Sequence, residues 1–363
     1  MAWSTRIFDT QTGAPIEIIT PRSGTWSRGD RMPNRTVLNL GDDGLTRAQR
    51  KDLFQPRVRS VAVCWDDTPV YFGRITNVDY EKNTQELTLT HQDFRTLAAK
   101  RHLWGVSSYN PAFTMDFRGY SMRGVVRQIL YYAFVHPYSP AWPINVDVGG
   151  AELGSSPWAL YFGYDLQTAD EILQDIEDDL NGPDIELEPV YRSGVAWLEA
   201  RIGTPFLTGP TFELPLTASA TPGVDDGGSL LNVKVQADGT EQATGVFTLG
   251  RGSEEDMRWG EASLPSSYPV SSDYVVPYKD VDDTARLNTL AQSWVQSHAG
   301  PRVQWSADVL TRDVSPAQLR VGSMLRILTD GDPWIDDGVI SRRVIGYKGT
   351  TESDQFTLIL EEG

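Results

Sequence analysis

Adjacent aspartate pairs are the first residues whose type could do chemistry, among them Asp42-Asp43, Asp66-Asp67, Asp225-Asp226, Asp282-Asp283 and Asp336-Asp337. Two carboxylates roughly 5 to 9.5 Å apart across a sugar hydrolyse a glycosidic bond. Most of these pairs stand in turn sequences or at a helix start, where aspartate binds backbone N–H groups, and those roles account for them. Asp330, Asp332 and Asp336 hint at a calcium loop, but the EF-hand spacing and its terminal glutamate are missing. The four histidines (His91, His102, His136, His298) never fall three to five residues apart, and Cys64 is the single cysteine. A cysteine-rich metal site and an intrachain disulfide are thereby excluded. No H-E-x-x-H, G-x-S-x-G, P-loop or G-x-G-x-x-G motif occurs. No catalytic residue, cofactor or metal is expected, and Cys64 and the histidines read as structural.

Residues suited to contact are easier to find. Arg22, Arg28, Arg31 and Arg35 crowd a polar, Pro-containing stretch that reads as a docking surface or as an ordinary exposed loop. Trp104, Trp142 and Trp158 lie in or near an aromatic-rich loop over 135–164 and are candidate contact residues. Trp65, Trp294 and Trp305 fall on apolar faces and read as core.

The chain that must position them has 363 residues and 40.4 kDa, room for two or three domains. With 40% apolar and 22% charged residues it is a globular sequence. Its net charge of −17 argues against a general nucleic-acid binder, which needs clustered cations. Residues 1–101 carry 15 basic and 12 acidic side chains, 102–200 carry 4 and 14, and 201–363 carry 13 and 23. The N-terminal part therefore faces something different from the rest. No membrane span and no secretory signal is expected, and the lone cysteine fits synthesis in a reducing compartment.

Pattern and punctuation give the elements. Alternation predicts strands over 36–40, 58–65, 70–78 and 86–90, with short helices over 45–54 and 94–101. Helical faces run from Met122 to Ala133 behind the N-cap Ser121, and from Ile172 to Leu180 behind the Thr168/Glu171 capping box. A hairpin follows over 185–191 and 195–202. Further strands are expected over 231–235, 245–249, 303–310, 324–328, 338–347 and 356–360. A helix over 282–298 lies among them, and 252–274 reads as irregular. Turn-and-hairpin sequences near the two ends resemble one another, Asp66-Asp67-Thr68-Pro69 matching Asp330-Gly331-Asp332-Pro333.

The fold class is mainly β with α insertions (α+β). The expected organisation is two related small β-barrels, over 1–105 and 205–363, around a mixed helix/hairpin subdomain over 106–204.

Trp26-Ser27-Arg28, the strand from Thr36 to Leu40, Val61 to Asp67, Val70 to Ile75 and the close from Asp93 to Arg101 together resemble one opening. It is that of minor tail proteins, the tail-tip hub group, of long-tailed phages infecting actinobacteria. Leu319 to Ile327 is similar to a strand entry in that family's second barrel. The resemblance implies a non-enzymatic virion protein made in the host cytoplasm and carried at the tail tip. It implies a homotrimer whose six barrels form a pseudo-sixfold ring. The implied partners are the distal tail protein, the tape measure C-terminus and other tip or fibre proteins, with phage DNA only in transit. Acidic residues of 102–363 would then line a channel or simply solvate the surface. Two alternatives stand beside it: a tail-associated cell-wall hydrolase or glycan-binding protein, and a hexameric distal tail protein.

Overall fold

The computed structural model describes residues 2–29, 31–41, 44–104, 110–135, 145–156, 160–179, 182–217, 229–264, 271–278 and 281–362. The chain forms two compact units, one of residues 1–177, 183–233 and 306–363, the other of 178–182 and 234–305.

The first third lays down β1 (Trp3–Asp9), β2 (Pro15–Ile19), β3 (Ser23–Arg28), β4 (Asn34–Asn39), α1 (Arg47–Leu53), β5 (Arg59–Trp65), β6 (Thr68–Glu81) and β7 (Glu86–Asp93). Thr46 caps α1 in a reciprocal box with Gln49. Asp66 and Asp67, at φ 45° and 64°, turn β5 into β6. A 3-10 helix, Phe94–Lys100, follows β7.

The middle holds β8 (Thr114–Asp116), α2 (Met122–Phe134), β9 (Asn145–Asp147), β10 (Leu160–Phe162), α3 (Ala169–Glu177) and the hairpin β11 (Ile185–Arg192) to β12 (Val195–Ile202). Val125, Ile129 and Ala133 of α2 and Ile172, Leu173 and Ile176 of α3 share one buried core with Phe8 and Phe72 of the sheet and Phe94 of the 3-10 helix. Burial of these two apolar helical faces, at about 25 cal/mol per Å² of apolar surface, holds the middle segment to the sheet.

The last third contributes β13 (Thr211–Thr217), β14 (Leu230–Asp238), β15 (Gly245–Leu249), β16 (Trp259–Ser263), β17 (Asp273–Pro277), α4 (Thr284–Ser297), β18 (Arg302–Leu310), β19 (Met324–Asp330), β20 (Gly338–Thr350) and β21 (Gln355–Glu362). In the smaller unit β15 lies between antiparallel β16 and parallel β17, and Ala291 and Val295 of α4 pack with Val246. The strand β16 thus lies within the 252–274 stretch expected to be irregular, and β17 begins at its end.

Two sets of six strands recur in one order. Across the sheet the first runs β3-β4-β7-β6-β5-β1, and the second β14-β18-β21-β20-β19-β13. Each set uses its strands in the same chain order. The outermost pair differs in direction, β1–β5 being antiparallel and β13–β19 parallel. Against its hairpin partner β7 or β21, the long strand of each set has a bulge, at Thr76 between the pairs Ile75–His91 and Asn77–Thr90, and at Ile345 between Val344–Leu360 and Gly346–Ile359. His91 and Leu360 are both the sixth residue of their strands. Behind each bulge the same bond forms, Arg57 N–H to Ile75 O at 2.8 Å and Gly322 N–H to Val344 O at 2.7 Å. Both donors have positive φ, 67° and 88°.

The separate barrels expected from the sequence are corrected here. Thirteen strands form one hydrogen-bonded network, and among the described residues no path of pairing closes on itself. The reason lies in β3. Only Ser23 and Gly24 pair with β4, after which residues 25–28 pair with residues 347–350 of β20 and join the two sets. Trp26 seals this seam, with Trp3, Tyr347 and Phe356 ring centroids 5.1, 5.9 and 6.1 Å away. Gly29 ends it at φ 71°, and a Cβ there would stand 2.1 Å from Ile345 O. Gly29→Ala is therefore expected to cost more than the ~1–3 kcal/mol of a left-handed non-glycine residue. Urea unfolding would measure that loss; an unchanged midpoint would show that the seam end is free to move.

Candidate functional site

The densest polar feature of the larger unit is a buried arginine–carboxylate junction beneath the seam. β11 supplies Glu186 and Glu188, which alternation places on one face of the strand, opposite Arg201 of β12. Arg28, at the end of β3, pairs with Glu186 and donates to the Tyr347 hydroxyl at 2.9 Å. Tyr347 in turn donates to Leu319 O at 3.0 Å. Arg201 binds Glu186 at 2.6 Å and lies 3.4 Å from Glu188, which also takes Arg320 at 3.0 Å. Arg343 of β20 pairs with both Asp184 and Glu361.

A second cluster stands beside it. Arg95 holds Asp170 at 3.0 Å and Glu177 at 2.7 Å, and Arg31 reaches the same two carboxylates at 3.0 and 3.6 Å. The two clusters line a cleft of about 210 Å³.

Electrostatics explains why these charges stay buried. Burial works against the Arg28 charge, but Glu186, Tyr347 and Glu188 more than offset it and raise its pKa. Arg95 behaves alike, burial being outweighed by Glu177 and Asp170. Burial raises the pKa of Glu177 and of Glu188 above the ordinary carboxylate value, against the pull of their arginines. Every carboxylate named here is held by a guanidinium, an arrangement that fixes backbone segments distant in sequence.

The contact residues expected from the sequence are scattered by this geometry. Arg28 is 6% exposed and belongs to the junction, and Arg31 joins its second cluster. Arg22 is exposed and pairs with Glu86, and Arg35 is exposed on β4. Trp104 is 5% exposed in the core shared with α2 and α3. Trp142 and Trp158 lie outside the described residues. Sequence reasoning missed Glu186, Glu188, Arg201 and Arg343; the signal was two acids on one strand face across from an arginine.

In three of the aspartate pairs one member serves backbone, while Asp67 and Asp282 pair with Arg6 and Arg258. Asp66 accepts from Ala2 N–H, Asp283 caps α4 through Ala285 N–H, and Asp337 accepts from Gly331 N–H. Asp332 accepts from Trp334 and Ile335 N–H. Asp42-Asp43 and Asp225-Asp226 lie outside the described residues. Among the described residues no group of three or more His, Cys, Asp or Glu gathers as for a metal, and no helix is long and apolar enough to cross a membrane.

No family model matches the chain, and no curated protein matches its sequence. Solved structures match it along its length. A tail protein from Neisseria meningitidis MC58 has 13% identity and a TM-score of 0.58, covering 100% of this chain and 97% of its own. The 43 kDa tail protein of prophage MuSo2 from Shewanella oneidensis has 8% identity and a TM-score of 0.61, at 99% and 98% coverage. Prophage tail protein gp18 from Listeria monocytogenes EGD-e has 9% identity and a TM-score of 0.51, at 99% and 94%. At such identities the likeness is one of fold: this chain has the fold of phage tail proteins.

Proposed function

We propose that the chain is a non-enzymatic structural subunit of a long phage tail, the hub at its tip. The observation that carries this reading is the recurrence of one six-strand motif with one bulge in the same place. Three copies of two equivalent motifs supply six like positions, so a threefold assembly presents a sixfold-like face to a tube and a threefold face to the tip. A subunit of this kind works mechanically. It adapts symmetry, seats the end of the tape measure and the distal tail protein, and lets DNA pass. The net −10 of residues 102–200 and of residues 201–363 suits a passage wall, since acidic walls repel phosphate instead of binding it. The arginine–carboxylate junction suits a part under load, because it ties β3, β11 and β20 together through the core.

Light scattering with negative-stain imaging tests the reading. Rings with a mass near three times 40.4 kDa are expected. A ring of six chains would replace the hub with a distal tail protein. Hydrolysis of bacterial cell wall by the purified chain, abolished by one carboxylate substitution, would replace it with a tail hydrolase.

A further inference from the structure

The seam that joins the two motifs within the chain has a counterpart left open. β20 is paired with β21 along one side. On the other side it takes β19 over residues 338–343 and then β3 over residues 347–350. β6 repeats the arrangement only in part. β7 lines one side, β5 covers residues 68–74 of the other, and residues 77–81 have no described strand beyond them. Aligned on the bulges, residues 78–81 stand where residues 347–350 stand. Residues 77, 79, 80 and 81 are exposed, whereas Gly346 and Tyr347 are buried under the seam.

The strand equivalent to β3 is β14, which ends the sheet with β18 on one side alone. Its register follows from one hydrogen bond and from the charge near its far end. Asn232 Nδ2 donates to Asp308 Oδ2 at 2.8 Å, and Asp238 feels Arg302 at the other end, so β14 and β18 run antiparallel. Asp308 also accepts from Thr357, the third residue of β21. In the first motif Ser23 lies opposite Val37, and Val37 opposite Thr88, the third residue of β7. Asn232 thus takes the place of Ser23, and residues 234–237 that of residues 25–28.

We propose that β6 of one copy pairs antiparallel with β14 of a second copy, repeating between chains the seam that β20 and β3 make within one. This rests on the ring reading above and names its interface. The expected neighbours are Val78 with Ala237, Asp79 with Gln236, Tyr80 with Val235 and Glu81 with Lys234 of the next chain. The last pair sets opposite charges face to face, and among the described residues neither Glu81 nor Lys234 has an ion-pair partner. Tyr80, 54% exposed, falls where Gly349 meets Trp26 in the internal seam and would cover Val235. Each copy offers one open edge of each of these two kinds, so three copies in head-to-tail contact leave neither kind unpaired, and an unpaired edge strand is otherwise a liability.

A Tyr80→Cys/Val235→Cys variant of the full chain, mildly oxidised, tests this on a non-reducing gel, with each single variant as control and the mass measured in parallel. A covalent trimer is expected in the double variant only. A trimer mass without covalent trimer overturns the seam and leaves the ring. A ladder beyond three chains keeps the edge contact and overturns the closed ring. A monomer with no cross-link up to millimolar chain overturns both. In the second arm, Glu81→Lys is expected to weaken the trimer about tenfold, and Glu81→Lys/Lys234→Glu to restore it. Failure of the swap to restore assembly that the single change has weakened overturns the register.

Discussion

Arg28→Met is expected to cost about 3–5 kcal/mol of folding stability, the range for removing one partner of a buried ion pair. Arg28 and Glu186 are 6% and 9% exposed, and the Tyr347 hydroxyl also accepts from the guanidinium. Loss of Arg28 leaves Glu186 to Arg201 alone, with Glu188 close by competing for the same cation. The remaining carboxylates then repel in a medium that screens poorly. Arg28→Met/Glu186→Gln is expected to recover most of that loss, because a neutral pair of similar size leaves no uncompensated carboxylate, and Arg201 keeps Glu188. Arg22→Met provides the contrast: its pair with Glu86 is 66% exposed on the arginine side, and its removal is expected to cost no more than about 1 kcal/mol. Urea midpoints at constant slope measure all three. If Arg28→Met shifts the midpoint no more than Arg22→Met, water reaches the junction and it does not tie the sheet together.

The same residue marks where sequence reasoning stops. Helices α2, α3 and α4 are legible because an apolar face at helical spacing and a capping residue are both local signals. The Thr168/Glu171 box forms as written, with Thr168 N–H to Glu171 at 2.7 Å and Glu171 N–H to Thr168 at 3.2 Å. The β11–β12 hairpin and most strands of the last third are legible for the same reason.

Arg28 is not. Its neighbours Ser23, Gly24, Thr25 and Ser27 read as loop, yet they form β3, and its partner Glu186 lies 158 residues away. Trp104 reads as a contact residue because it stands near the aromatic-rich loop, while the core that buries it is shared with α2 and α3. Glu186 and Glu188 alternate with Ile185 and Leu187, a pattern that ordinarily turns acids to solvent; only the arginines of β3, β12 and the 319–323 turn reverse it. The repeat showed in its turns but not in its bulges, since Thr76 and Ile345 share no residue type. One network replaced two barrels because pairing between residues 25–28 and 347–350 carries no sequence signal beyond β propensity.

Acid should weaken the first motif through His91, an effect of about 3 kcal/mol between pH 7 and pH 4. His91 sits fully buried at the bulge of β6 and β7, opposite Ile75, its ring nitrogens 3.0 Å from Thr36 Oγ1 and 3.0 Å from the Tyr71 hydroxyl. Burial pushes its pKa down from 6.5 to about 3. The fold therefore keeps the ring neutral while the unfolded chain takes up a proton below pH 6.5. Stability from this group is complete above that value and falls by about 1.4 kcal/mol per pH unit down to about pH 3. Asp93, Glu177 and Glu188 act in the opposite sense: burial raises their pKa values, so the folded state takes protons first and gains stability as the pH falls. Total stability mixes the two, and the difference between wild type and His91→Gln isolates the histidine, since the carboxylates are common to both. That difference is expected to narrow by about 3 kcal/mol from pH 7 to pH 4 in urea unfolding. Parallel profiles would mean that water or a partner reaches the ring and lets it charge. The equivalent place in the second motif holds Leu360, opposite Val344, which has no proton to gain. Amide exchange at acid pH should therefore open β6 and β7 before β20 and β21, although the two hairpins share one bulge and one strand order.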